Sequence, residues 1–225
     1  MSEEASAGHV GAPRRRGRPK GSTAGETRAR ILEAAQAEFA ALGYEAASLR
    51  GVARRAGVDA SLVHHYFDDK SGLVAAVMDV PARPDRLIAE AVDGPLDGMG
   101  ERMVRMVLSA WDSPAVRPAG LAIVKSIVSG GPTGKVVLEF FRREMLAKVA
   151  ARLPGDDAAL RAELAVSQII GLVVARYVAR FEPLASAGVD DLAARIGPVV
   201  QAHLTGRYGP LDGAEARANN STRDE

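Results

Sequence analysis

The 23 residues from Ser48 to Lys70, SLRGVARRAGVDASLVHHYFDDK, hold the chain's densest set of groups able to recognise an anionic polymer. Arg50, Arg54 and Arg55 crowd its first half, Ser61, His64, His65 and Tyr66 its second, and Lys70 closes it. All of them can donate to phosphate oxygens or to base edges. The same groups are not arranged for catalysis. His64 and His65 are adjacent, unlike the i,i+4 pair that holds a metal from one helix face, and His9 and His203 lie far away in sequence. No Gly-x-Ser-x-Gly elbow occurs. Gly130 to Lys135, GGPTGK, has a loose likeness to a phosphate-binding loop but lacks the full pattern and the strand before it. The chain has no cysteine, which excludes disulfides, thiolate metal sites and cysteine nucleophiles. No catalytic residue, metal site or cofactor is expected.

The elements that must position these groups are helical. Ser48 is a candidate N-cap for a helix with Leu49, Val52, Ala53 and Ala56 at helical spacing. Gly57 breaks that pattern, and Asp59 can cap a second short helix carrying Val63 and Phe67 on one face and Leu62 and Tyr66 on another. Two short helices about a glycine match a helix-turn-helix, whose second helix fits the major groove. A generic helical hairpin gives the same apolar spacing, so the open-face residues carry the DNA reading. A first helix starts near Thr27. Its Ile31, Ala35, Phe39 and Leu42, with Leu32 beside them, form one wall of a small core, and Gly43 ends it as a C′ residue. Val52, Val63 and Phe67 point inward against Ile31 and Phe39. A fourth helix starts near Asp69 with Leu73, Val74 and Val77 on its apolar side, and Pro81 and Pro84 end or kink it.

Charge distribution supports an acidic partner. The whole chain carries only +1, but residues 14–55 hold ten Lys or Arg against four Glu, a local balance of +6. Residues 14–21, RRRGRPKG, contribute five of those cations, and Gly17 and Pro19 keep them out of a helix. An extended arm with Arg16, Arg18 and Lys20 can lie along a minor groove, and Arg16-Gly17-Arg18-Pro19 resembles the AT-hook motif. A solvated leader is the alternative reading. Residues 1–13 show no periodicity and are expected to be disordered.

After residue 84 the pattern is helices separated by Pro and Gly, with no strand alternation. It predicts helices over 85–92, 98–111, 118–129, 133–153, 157–180 and 189–205, and a frayed tail over 206–225. Met103, Met106 and Trp111, Phe140 and Phe141, and Leu172 and Tyr177 can line an apolar small-molecule cleft, with Lys125 and Arg176 orienting a polar end. The same residues suit an ordinary core. Gly171 and Ala175, four apart, permit close backbone approach. With Leu192, Ile196, Val199 and Val200 they mark the last two long helices as dimerisation candidates, against an intrachain-core alternative.

From about Thr27 to Leu73 the chain resembles the TetR family of one-component bacterial regulators. The residues that carry this are TRARILEAAQAEFAALGY, then S-x-x-x-VA-x-x-AGV, then SLVHHYFDDKSGL. Beyond about residue 80 the likeness is architectural. The resemblance implies an all-α fold with a three-helix DNA-binding domain over 22–73, behind a basic arm over 1–21. A helical ligand-binding and dimerisation domain over 74–205 and a tail over 206–225 complete it. The resemblance also implies that Ser48 and Arg50 lie at the DNA end of the second helix. Ala60, Ser61 and Leu62 face the major groove, and Lys70 binds phosphate; on its own placement an exposed Leu62 is ordinary, but on this face it can pack against a thymine methyl. His64 stands where the family usually has Tyr, and Tyr66 where it often has His or Tyr. The family's last two helices pair with their two-fold mates.

At 225 residues and 47% hydrophobic content the chain can bury a sizeable core. No signal peptide and no apolar run of the roughly 20 residues needed to span a bilayer is read from the sequence, so a cytoplasmic location is expected. The expected function is a homodimeric regulator, in the first place a repressor, of a palindromic double-stranded operator, released by a small, mainly apolar ligand. The alternative is a constitutive or architectural DNA-binding protein whose C-terminal domain only dimerises.

Overall fold

The computed structural model describes residues 24–208, and every element among them is helical. The arm residues Arg16, Arg18 and Lys20 and most of the expected tail lie outside the described residues. In chain order the helices are α1 Ala24–Ala46, α2 Leu49–Ala56, α3 Ala60–Tyr66, α4 Lys70–Val77 and α5 Pro84–Val92. They continue with α6 Met99–Asp112, α7 Arg117–Ser129, α8 Pro132–Ala150, α9 Ala158–Val178 and α10 Val189–Thr205. Two of them contain a π-helical turn, Arg142–Leu146 in α8 and Val174–Val178 in α9.

Two apolar cores organise these elements. The first joins Ile31, Ala35, Phe39, Val52, Val63, Phe67 and Leu73 from α1 to α4. It also takes Val136 and Phe140 from α8, so the N-terminal bundle, which ends at Val77, is completed by a helix that begins only at Pro132. Leu42 departs from the expected wall: it is 50% exposed. The reason is local. Gly43 adopts φ +77° and ψ 175°, which interrupts α1, and Tyr44 enters the core in place of Leu42. The second core is built from α5, α6, α8, α9 and α10 around Met99, Met103, Leu108, Val149, Ala165 and Val200.

α4 stops at Val77 and α5 restarts with Pro84 at its first position, so the prolines divide this region into two helices. α9 has 21 residues and is long and apolar enough by length and composition to cross a membrane, which corrects the sequence reading that no run reaches that length. One side of it, Ala162, Ala165, Ile169, Leu172 and Val173, belongs to the second core.

Within the chain, the small residues of α9 make no close helix approach. Gly171 is exposed, with open space where a Cβ would stand. Instead α6 and α10 cross at Gly100 and Gly197. A Cβ on Gly100 would lie 2.4 Å from the Gly197 carbonyl oxygen, and one on Gly197 would lie 2.8 Å from the Glu101 Cα. Gln201 locks the crossing: its Oε1 accepts from the Gly100 N–H at 2.8 Å and its Nε2 donates to the Leu96 carbonyl at 2.9 Å. Gly197→Val is therefore expected to destabilise the fold by about 2 kcal/mol or more, since overpacking must separate two backbones. Urea unfolding would show this as a lower midpoint, and an unchanged midpoint would mean that the crossing yields without cost.

Candidate nucleic-acid interface and regulatory cleft

The interface is set by three caps. The Ser48 Oγ accepts the Gly51 N–H at 3.0 Å and starts α2; Gly57 in the left-handed region (φ 63°) ends it. The Asp59 Oδ1 accepts from the Ser61 N–H at 2.8 Å and from the Ser61 hydroxyl at 2.6 Å, starting α3. Those bonds hold the exposed Asp59 carboxyl below its usual range. The Asp69 Oδ1 accepts the Gly72 N–H at 2.7 Å and starts α4. Within the head, α2 lies directly on α1. Glu38 is buried and accepts from Arg55 Nε at 3.0 Å, and a Cβ on Gly51 would meet the Glu38 Oε1 at 2.1 Å.

This packing leaves Arg50, Arg54, Ser61, His64 and His65 exposed, with Ala60, Leu62 and Tyr66 half-buried beside them. Ser48 is exposed too, but its hydroxyl is committed to the cap. Neither His64 nor His65 makes a hydrogen bond among the described residues. The His65 ring instead stands edge-on to Tyr66 at 5.3 Å. The Tyr66 hydroxyl donates to the Ala24 carbonyl at 3.1 Å, tying the end of α3 to the start of α1. Lys70 is not a free surface cation. Its Nζ donates to the Glu45 carbonyl at 2.9 Å and lies 4.4 Å from the centre of the Tyr44 ring. Burial draws its pKa down, against the opposing pull of Glu139, Glu144 and Glu45. Two of its three ammonium protons remain for any other acceptor.

In the C-terminal domain the expected ligand residues divide into separate places. Met106, Trp111, Phe140 and Phe141 line one cleft of about 180 Å³ between α6, α7 and α8 and the segment after α4. Met145 and Met78 also line it, and no charged side chain does. Met103 and Leu172 do not reach it; both are buried in the second core. Lys125 is exposed on α7 and is not part of the cleft wall.

Arg176 and Tyr177 face a second, polar cleft of about 330 Å³ with Asp112, Arg117 and Arg180. There Arg176 Nη1 donates to the carbonyls of Leu184 and Ala187 at 2.8 and 2.7 Å, and its Nη2 lies 3.5 Å from the Asp112 carboxylate. The Arg176 Nε is buried without a hydrogen-bond partner among the described residues. The Tyr177 hydroxyl donates to Asp112 Oδ1 at 3.0 Å, and burial pushes its pKa up to about 12. Arg176 therefore fastens the 181–187 segment instead of orienting a ligand in the apolar cleft. The clefts are separated by Trp111 stacked on Tyr177, 5.3 Å between ring centres.

The dimerisation candidates divide in the same way. Leu192 and Val200 are internal, packed in the second core, and Ala175 is half-buried. Gly171, Val199 and part of Ile196 remain at the surface. Sequence reasoning missed the apolar residues that accompany them on α9 and just beyond it, Ile170, Val174, Val178 and Phe181, all exposed. It also missed Glu38, Tyr44 and Glu139. Glu38 was within reach, because it follows Ile31, Ala34 and Ala35 on the buried face of α1.

Two family models match the chain. One is described as bacterial regulatory proteins, tetR family, and covers residues 31–77; the other is a tetracyclin repressor-like C-terminal domain and covers residues 97–204. The HTH-type transcriptional regulator BetI of Agrobacterium fabrum is 30% identical over 152 residues, 64% of this chain and 73% of that protein. An HTH-type transcriptional repressor of Mycobacterium tuberculosis is 29% identical over 174 residues, 74% of this chain and 80% of that protein. A solved TetR-family regulator from Streptomyces coelicolor is 38% identical, covering 84% of this chain and 98% of that one with a TM-score of 0.43. With a capped helix-turn-helix, an all-helical second domain and relatives matched over most of their length, the chain belongs to the TetR family of DNA-binding transcriptional regulators.

Proposed function

We propose that this regulator is a homodimeric repressor that a small, mainly apolar molecule releases from a roughly palindromic operator. One observation carries the reading: Phe140 is at once a wall of the apolar cleft and a member of the core of the reading head. A molecule that displaces Phe140 thereby acts on the head directly. The cleft is lined by apolar side chains, so burial of apolar surface supplies the affinity, roughly 25 cal/mol per Å². At about 180 Å³ it lies below the usual range for drug-sized ligands, which favours a compact one. The relative in M. tuberculosis that is itself described as a repressor supports the sign of the regulation. Release is a population shift: the ligand binds better to the form whose heads are misplaced for successive major grooves.

In this reading the domain limits are those expected from the sequence, with the head over 22–73, the regulatory domain over 74–205 and the arm in front. Arg50 and residues 60–62 supply sequence preference. His64, His65, Lys70 and the arm cations Arg16, Arg18 and Lys20 supply phosphate contacts, and Tyr66 does so on giving up its bond to the Ala24 carbonyl. The second copy covers Ile170, Gly171, Val174 and Val178 on α9 with Ile196 and Val199 on α10, residues left exposed or half-buried on two helices that pack together, and exposed apolar surface of this kind marks interfaces. The location is the cytoplasm, where the operator is.

Four outcomes test the proposal. Val174→Glu places a charge in the two-fold interface and is expected to give a dilution-dependent monomer in sedimentation; a dimer unchanged at nanomolar concentration moves the interface elsewhere. Lys70→Ala is expected to weaken binding to every duplex alike and to flatten the salt dependence by about one counterion. Arg50→Ala should instead reorder preferences among half-site variants, and equal losses across a half-site library would make Arg50 a phosphate contact. Calorimetry of candidate apolar compounds, with and without operator, should give weaker binding to the operator complex. A compound that occupies the cleft with equal affinity in both states would sink the release mechanism for that compound.

A further inference from the structure

Glu139 sits on α8 next to Phe140 and Phe141, two of the three aromatic residues that line the apolar cleft. Its carboxylate points the other way, onto the reading head. Oε2 accepts the Tyr44 N–H at 2.8 Å and Oε1 accepts the Glu45 N–H at 3.2 Å. These are the two amides that follow Gly43, where φ +77° turns the chain out of the path of α1. A Cβ at Gly43 would lie 3.2 Å from the Glu139 Oε2, so the glycine also makes room for the carboxylate. The next turn of α8 adds to the hold. Arg143 pairs with the Glu45 side chain, and the Tyr44 hydroxyl donates to Glu144 Oε1 at 2.8 Å. The Tyr44 ring stands edge-on to Phe140 with 5.6 Å between centres. Lys70, from α4, closes the group by donating to the Glu45 carbonyl.

We propose that Glu139 is the positioning residue that sets the reading head against the regulatory domain, and that it is the group through which occupancy of the apolar cleft reaches the DNA. The inference rests on the ligand-responsive reading above and names the joint that this reading needs. The physical reasons are three. A charged acceptor shared by two backbone amides is stronger than a neutral contact, and its loss leaves the part-buried Tyr44 donor to be satisfied elsewhere, while the exposed Glu45 donor turns to water. Phe140 and Phe141 share its helical turn, so a molecule that moves those rings moves the carboxylate. The π-helical turn Arg142–Leu146 follows at once, and such turns are where a helix changes register. α4, cut short at Val77, ends well before the second core, so α8 is the helix that spans both cores.

The test is a double-mutant cycle on the full-length protein. The probe is a duplex selected from a random pool by the wild-type protein. Glu139→Ala is expected to weaken duplex binding about tenfold and to speed hydrogen exchange at the Tyr44 and Glu45 amides. Ala110→Phe, which fills the cleft from α6 in place of a ligand, is expected to weaken binding by a similar factor. The double variant should bind no more weakly than the weaker single variant, because both act through one joint. Glu139→Gln keeps the shape and one neutral acceptor, so it should recover part of the affinity; it carries the test if the alanine variant unfolds. A merely structural cap would give full additivity with Ala110→Phe, and that result, or wild-type affinity and exchange in Glu139→Ala, overturns the proposal. An Ala110→Phe protein that binds like the wild type overturns the ligand-responsive reading and the coupling part of this one. The effect of Glu139→Ala alone on affinity and amide exchange then decides the positioning part.

Discussion

A reading head of about fifty residues buries too little apolar surface to fix its own orientation. Here it borrows what it lacks. Val136 and Phe140 of α8 complete its core, and the Tyr44 ring packs edge-on against Phe140. Because the borrowed side chains belong to the regulatory domain, the angle of the head follows from where α8 lies. The break at Gly43 is the counterpart of this arrangement. A continuous α1 would carry Tyr44 past the seam; the positive-φ glycine brings it back, and the part-buried Tyr44 amide it frees is met by a carboxylate of the other domain.

The proline-rich segment after α4 imposes a second constraint. With Pro81 and Pro84 in place, no rigid helix runs from the head into the second core. What replaces it is electrostatic. Arg83 donates to Asp69, the N-cap of α4, and to the buried Asp85, at 2.8–2.9 Å. Burial raises the Asp85 carboxyl, but the bonds from Arg83 outweigh it and hold the pKa below the ordinary value. Lys148 of α8 then donates to the Asp85 carbonyl at 3.1 Å. The linker is thus pinned to α8 as the end of α1 is, and both attachments fall within three turns of one helix.

The local part of this structure was legible in the sequence. Ser48, Gly57, Asp59 and Asp69 act as the caps their side chains predict, and the Pro and Gly breaks separate the helices where expected. Periodicity failed where a helix has two apolar faces. α9 and α10 are apolar on most sides, and spacing alone does not say which side meets its own chain. Leu192 and Val200 therefore looked available and are internal, whereas Ile170 and Val174 are the exposed ones. The interdomain seam was illegible for a different reason. Glu139 and Tyr44 are 95 residues apart, and an acidic residue on an amphipathic helix reads as a solvated face until the fold brings two amides to it. Lys70 shows the same limit: its type and place suggest a phosphate contact, while its geometry ties it to Glu45 and Tyr44.

The apolar cleft lies between two joints rather than beside one. On one side Phe140 leads to the head. On the other Trp111 stacks on Tyr177, within the π-helical turn of α9 that also exposes Val174 and Val178. In the proposed dimer that turn meets the two-fold mate. Close-packed walls respond to an inserted molecule by switching between arrangements, not by small graded strain. In the proposed function a ligand against Trp111 and Phe140 therefore bears on the tilt of each head and on the contact between copies together. The separation of two reading helices depends on both quantities.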